Sequence, residues 1–352
     1  MNRPAEPDLE TAVPQFPWAS LNDRELLRWR ISDLKVRIEG SPLEHRIQRL
    51  YQEFQDKGLS YRPPCYLTTE WLTPDRIPAV GIPFYLAHPR LTQLEKTMML
   101  EAEGAPEKEC MKLLRHETGH CINYAYRLYT RSRWRELFGP MSLEYNPHEY
   151  SMKPYSKQFV IHLKDNYAQV HPDEDFAETF ATWLTPGLDW RSRYRGWPAL
   201  KKLEYVDHLM TAIANQPPVF TSAKRYWSAA KARSTLENYF IMKRREFGKG
   251  YKGFYDPVLL RLFPKTDTGS PPEPAYRYLV QNRKILVDTI STWAGLPKYS
   301  VHELVSRLTE RARSMQLTLP PDHDRDLLFR VGICLNSLLL SEQASYTNQT
   351  NP

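Results

Sequence analysis

Two histidines four residues apart, His116 and His120, bracket a glutamate in the run Arg115-His116-Glu117-Thr118-Gly119-His120-Cys121. In a helix, positions four apart lie one above the other on one face, so both imidazoles project the same way. That spacing lets two ring nitrogens bind one Zn²⁺, with Glu117 beside the metal's open position as a general base. Zinc that does hydrolytic chemistry generally takes three protein ligands and leaves a fourth position for water. This run therefore lacks one ligand.

The run His171-Pro172-Asp173-Glu174-Asp175-Phe176-Ala177-Glu178-Thr179-Phe180-Ala181 offers candidates. Glu174 and Glu178 share one helical face; Phe176 and Phe180 share another, which suits a core. The economical assignment makes Glu174 the third ligand and Glu178 a carboxylate that orients a zinc-bound histidine. Asp175, Glu178 itself and His171 are the alternatives; Asp175 points about 100° away on the same helix. An acidic first turn favoured by the helix dipole would explain Asp173 and Glu174, but Glu178 lies beyond that turn. Cys121, next to His120, reads as a small buried residue.

Elements must hold these residues. The spacing predicts a long helix from Pro106 to about Tyr129, with Leu113, His116, Glu117, His120 and Tyr124 on one face. Leu114, Cys121, Ala125 and Leu128 form an adjacent core-facing stripe, which sets the polar triplet at the edge of buried surface. Gly119 costs roughly 1 kcal/mol against alanine in a helix interior, so it signals close approach by backbone or substrate. A second site helix is expected from Pro172 to Leu184, stopped by Pro186-Gly187. Before them, 21–57 reads as two helices broken near Gly40-Ser41-Pro42. Tyr66–Thr69 and Gly81–Ala87 read as strands, with Pro83 on an edge strand suited to holding an extended peptide. A short strand is expected over 158–163, a helix over 198–215, and helical structure from 217 to 247.

The chain is expected to hold a disordered tail over 1–17, helices over 18–60, a catalytic domain over 61–216, a helical extension over 217–263, a linker over 264–274 and a C-terminal helical bundle over 275–345. Helical patterns at 275–294, 300–315 and 322–341 form the bundle, the middle one opening on a Ser300…Glu303 capping box.

Composition narrows the class. With 352 residues, 41% of them hydrophobic and 25% charged, the chain has the make-up of a soluble globular protein. No apolar run reaches the length of a membrane span, the first residues carry no signal-peptide pattern, and the expected location is cytoplasmic. The four cysteines form no C-x-x-C pair, so neither a zinc ribbon nor a disulfide framework is indicated. The net charge of +7 reads as surplus surface lysine and arginine. Two basic stretches, Trp190–Trp197 and Lys243–Lys252, have the texture of nucleic-acid contacts; packed tryptophans and a basic helix end are the favoured readings. The leading expectation is a zinc-dependent hydrolase acting on a peptide or protein substrate, with no membrane partner. Its rivals are a catalytically silent zinc-binding interaction protein and, with less weight than either, a nucleic-acid-binding protein.

Together the two motifs resemble the bacterial putative zinc-binding metallopeptidase family, zincin-like proteases with a glutamate third ligand. The resemblance is clearest over 61–210. It implies an α+β zincin-like metallopeptidase domain with flanking helices and a C-terminal helical region. It implies His116, His120 and Glu174 as zinc ligands and Glu117 as base. The Glu174-x-x-Ala177-Glu178 order also resembles lethal-factor-type sites, where a tyrosine lies seven residues before the ligand glutamate; here that residue is Tyr167. Tyr167 would then donate to the oxyanion of the tetrahedral intermediate, with His162 as the other candidate. The metzincin continuation is absent, since Asn123 and Tyr126 occupy its glycine and histidine positions.

Overall fold

The computed structural model describes residues 16–145, 153, 156–163, 167–247, 255–263, 273–320 and 326–347. Most of the expected tail and linker, and Gly248–Lys252 of the second basic stretch, lie outside the described residues. The chain divides into two compact units, Met1–Tyr239 and Phe240–Pro352.

In the first unit, helix α1 (Asp23–Leu26) opens on a capping box between Asn22 and Glu25. It ends after one turn, short of the helix expected there. Ile31 N and Ser32 N donate instead to Ser234 O and Ala232 O, so tertiary acceptors replace those of the helix. Ser41 caps α2 (Pro42–Asp56), with Pro42 in the first turn. Strands β1 (Cys65–Thr68) and β2 (Val80–Pro83) pair in parallel, from Cys65↔Val80 to Thr68↔Pro83.

The second strand is shorter than expected. Pro83 has no N–H to donate, and at φ −56° it starts a 3₁₀ turn over Phe84–Ala87. Nor is β2 an open edge: all four of its residues are buried, and Gly81 exchanges both backbone bonds with Leu72, at 2.8 and 3.3 Å. On the other side of the sheet, Thr68 bridges Ser228 and the Tyr66 hydroxyl donates to Tyr226 O. These contacts draw residues 217–235, expected to be helical, into an irregular path with one 3₁₀ turn, Ala229–Lys231. Residues 158–163 form no strand either; the amides of His162 and Leu163 donate to the Glu178 carboxylate rather than to a sheet.

Helices α3 (Pro89–Met99), α4 (Glu107–Ala125), α5 (Ser132–Phe138), α6 (Pro172–Leu184), α7 (Trp190–Arg193) and α8 (Ala199–Ile213) complete this unit, and α9 (Leu236–Phe247) begins in it. In the first basic stretch, Trp190 and Tyr194 are buried and Arg191 pairs with Asp207, so the aromatics serve packing. The described residues thus form an α+β structure dominated by helices.

Helix α4 is the unit's axis. Every residue from Leu113 to Ala125 is buried, as are all thirteen of α6. A helix with no solvent face belongs in the interior. The site triplet is buried with the rest of this stretch, 3–8% exposed. Arg115 anchors α4 to α2 through a buried two-pronged bond to Glu53, both prongs 2.7 Å. Phe54 and Phe180 carry α2 onto α6, ring centres 5.9 Å apart.

Gly119 sets the approach of α4 to α6. A Cβ on it would lie 2.7 Å from Ala177 Cα and 2.9 Å from Ala177 O, so backbone fills that space. Main chain cannot give way as a side chain can. Gly119→Ala is therefore expected to cost at least the ~1–3 kcal/mol typical of overpacking, and to lower the melting temperature and zinc affinity together. Unchanged values of both would show that the two helices slide freely.

The second unit holds α10 (Asp256–Leu262), α11 (Ala275–Gln281), α12 (Arg283–Ala294), α13 (Lys298–Ser314) and α14 (Asp326–Thr347). They share a core that includes Leu259, Phe263, Leu279, Leu304, Leu308 and Leu335. The pattern expected as one helix over 275–294 breaks at Asn282, whose side chain donates to Tyr278 O. Helix α13 starts at Lys298 behind Pro297, so Ser300 and Glu303 lie inside it rather than at its N-cap. Among the described residues, no helix is long and apolar enough to cross a membrane.

Candidate metal centre

Helix α4 presents His116 and His120 on one face, and α6 brings Glu174 opposite them. His120 Nε2 lies 3.2 Å from His116 Nε2 and 3.2 Å from Glu174 Oε2, and His116 Nε2 lies 3.1 Å from the same oxygen. A tetrahedral zinc with bonds of about 2.0–2.1 Å sets its ligand atoms roughly 3.3–3.4 Å apart. The triangle fits that ion. Among the described residues these three form the one group of histidine, cysteine or carboxylate side chains close enough to share a metal.

The far nitrogen of each imidazole is also held. His116 Nδ1 is 2.8 Å from Glu178 Oε1, and the other Glu178 oxygen accepts from Leu163 N at 2.8 Å and His162 N at 3.2 Å. His120 Nδ1 is 2.8 Å from Asp173 Oδ2, and Asp173 also accepts from Asn123 Nδ2 and the Tyr124 hydroxyl. A carboxylate on Nδ1 puts the proton there and turns the Nε2 lone pair toward the centre.

The electrostatics suit a cation. Burial works against charge on His116, but Glu174 and Glu178 outweigh it and raise the imidazole to about 10. Burial likewise opposes charge on Asp173 and Glu174; the facing histidines more than offset it and hold both carboxyls below their ordinary range. Three carboxylates around two imidazoles demand positive charge, which protons or a divalent ion can supply.

Glu117 lies beside the triangle, 8% exposed. Burial raises its carboxyl, against the pull of both histidines. The Thr73 hydroxyl is 2.9 Å from Glu117 Oε2. These groups open on a cleft of about 470 Å³. The segment 71–76 forms one wall, contributing Trp71, Leu72, Thr73 and Arg76; Met141, Leu143 and Tyr145 also line the cleft. The segment 71–76 borders the site where β2 was expected to.

Tyr167 lines the cleft with its ring 5.6 Å from that of His116, and its hydroxyl is 2.8 Å from that of Tyr145. Burial and the nearby Glu174 charge raise both phenols, so each keeps its proton. His162 lies elsewhere: its Nε2 is 3.0 Å from Lys112 O, and burial lowers it to about 4. Asp175 turns away from the histidines to pair with Lys202; burial raises its carboxyl even so. His171 caps α6, accepting from Asp173 N and facing Leu143 O through Nε2. Cys121 is fully buried, its Sγ 3.5 Å from the Tyr61 hydroxyl.

Three neighbours escaped sequence reasoning: Asp173, Thr73 and Tyr145. Asp173 looked like an ordinary acidic first turn. Only its adjacency to Glu174, and Tyr124 on the histidine face, hinted otherwise. Asp173→Asn leaves the metal-facing atoms in place but removes the charge behind His120. It is expected to weaken zinc binding by roughly 10–100-fold, measured by competition with a chelator. Equal affinity would mean that Asp173 serves folding alone.

Residues 95–187 match the model of a family described as putative zinc-binding metallo-peptidase. That stretch begins within α3 and ends just beyond α6, so it takes in both motifs and every atom of the triangle. The likeness read from the two motifs is thus a family match over the segment that carries the site. No curated protein and no solved structure matches the chain.

Proposed function

We propose that this chain is a zinc-dependent metallopeptidase that hydrolyses peptide bonds, with a zincin-like catalytic domain over 61–216. His116, His120 and Glu174 would hold the ion, and Glu178 and Asp173 orient the two imidazoles. The reading is carried by one observation: Nε2, Nε2 and Oε2 converge at 3.1–3.2 Å beside a buried glutamate in an open cleft.

Zinc in such a site supplies a water of lowered pKa and a charge that polarises a carbonyl. Glu117 takes a proton from the attacking water and passes it to the leaving amine nitrogen. Tyr167 donates a hydrogen bond to the oxygen that gains charge, and its raised pKa keeps that proton available. The cleft walls hold the peptide across the two site helices.

The full chain, loaded with zinc, is to be incubated with a proteome-derived peptide mixture and new termini read by mass spectrometry. Cleavage that a chelator removes and added zinc restores is expected. No new termini from a chain carrying one zinc would overturn the peptidase reading and leave a zinc-binding protein without turnover.

A further inference from the structure

We propose that Thr73 is a positioning residue for Glu117, and that it ties the aim of the base to the cleft wall. The inference rests on the reading of Glu117 as the base.

Thr73 Oγ1 lies 2.9 Å from Glu117 Oε2 and 2.9 Å from Glu117 O. The hydroxyl has one proton for two acceptors, and a charged carboxylate oxygen is the stronger of them. A glutamate on a helix turns about three side-chain bonds. A fixed donor on Oε2 removes that freedom and leaves Oε1 to meet the reacting water. Positioning of this kind counts, because a displacement of about 1 Å at a reacting group can cost roughly 100-fold in rate.

Thr73 is suited to be the fixed point. It is β-branched and stiff at χ1, so Oγ1 goes where the backbone puts it. Pro74 follows and confines Thr73 to extended conformations. On one side, Leu72 exchanges both backbone bonds with Gly81 of β2; on the other, Ile77 N closes a turn on Pro74 O at 2.8 Å. In an antiparallel bridge, the residue next to a doubly bonded one turns its N–H and C=O outward. Thr73 is that residue, and it lines the cleft. A peptide chain lying along this wall therefore touches the residue that aims the base.

The competing account is that Thr73 only docks the 71–76 segment on α4 through Glu117 O. Thr73→Val, which keeps the shape and removes the hydroxyl, and Thr73→Ser, which keeps the hydroxyl, separate the two. Positioning predicts that Thr73→Val lowers kcat by about 10–100-fold with KM, zinc content and melting temperature close to wild type. Thr73→Ser restores most of the rate. An unchanged kcat in Thr73→Val overturns the proposal, as does a loss that serine fails to rescue or one that tracks zinc loss. If zinc-loaded wild type cleaves nothing, the peptidase reading fails by itself. Crystal structures of zinc-loaded wild type and Thr73→Val then decide this point. A Glu117 carboxylate displaced in the variant supports positioning, and one in the same place overturns it.

Discussion

Glu117→Gln is expected to keep its zinc and lose peptide hydrolysis by about 10²–10⁴-fold, the span typical of removing a general base. The glutamine has the same shape and can still accept from the Thr73 hydroxyl, so the wall of the cleft stays docked on α4. None of the three atoms in the triangle is touched. What is lost is a carboxylate able to carry a proton from water to the leaving nitrogen. Turnover with a fluorogenic peptide, together with zinc content by elemental analysis, checks this. Full activity in the variant would move the base elsewhere. Loss of zinc as well would make Glu117 part of the metal site's framework.

Glu174→Ala is expected to empty the site. Two imidazoles remain, but the third corner of the triangle and its charge are gone. Affinity should fall further than the roughly 10–100-fold that follows loss of an outer partner such as Asp173. The informative comparison is Asp175→Asn, at the neighbouring carboxylate on the same helix. Asparagine is preferred to alanine there, because alanine would strand the buried Lys202 ammonium at a cost of about 3–5 kcal/mol. One zinc per chain in wild type and Asp175→Asn, and none in Glu174→Ala after the same chelator wash, is the expected pattern. The reverse would make Asp175 the ligand and require α6 to turn by about 100°. The melting temperature should follow the metal, since an ion that binds only the folded chain stabilises it.

What the sequence determined by itself is local. Four-residue spacing puts His116 beside His120, and Glu174 beside Glu178, whatever else the chain does, because 3.6 residues make one helical turn. The extent of α6 was legible for the same reason: His171 and Pro172 start it, and Pro186-Gly187 follow its end. Gly119 was legible as a point of close approach, though not what approached it.

Tertiary structure decided which group faces which. Asp173, Glu174 and Asp175 are consecutive acids, and local periodicity cannot say that the first meets His120, the second completes the triangle and the third pairs with Lys202. That depends on how α6 lies against α4, which the bare backbone at Gly119 and Ala177 sets. Thr73 reaches Glu117 across 44 residues of chain, through a segment held by Gly81. The irregular path of 217–235 has the same origin: Thr68 and Tyr66 offer that stretch partners that no local pattern encodes. Helical phase follows from neighbours in sequence, whereas the partner of a buried charge follows from packing.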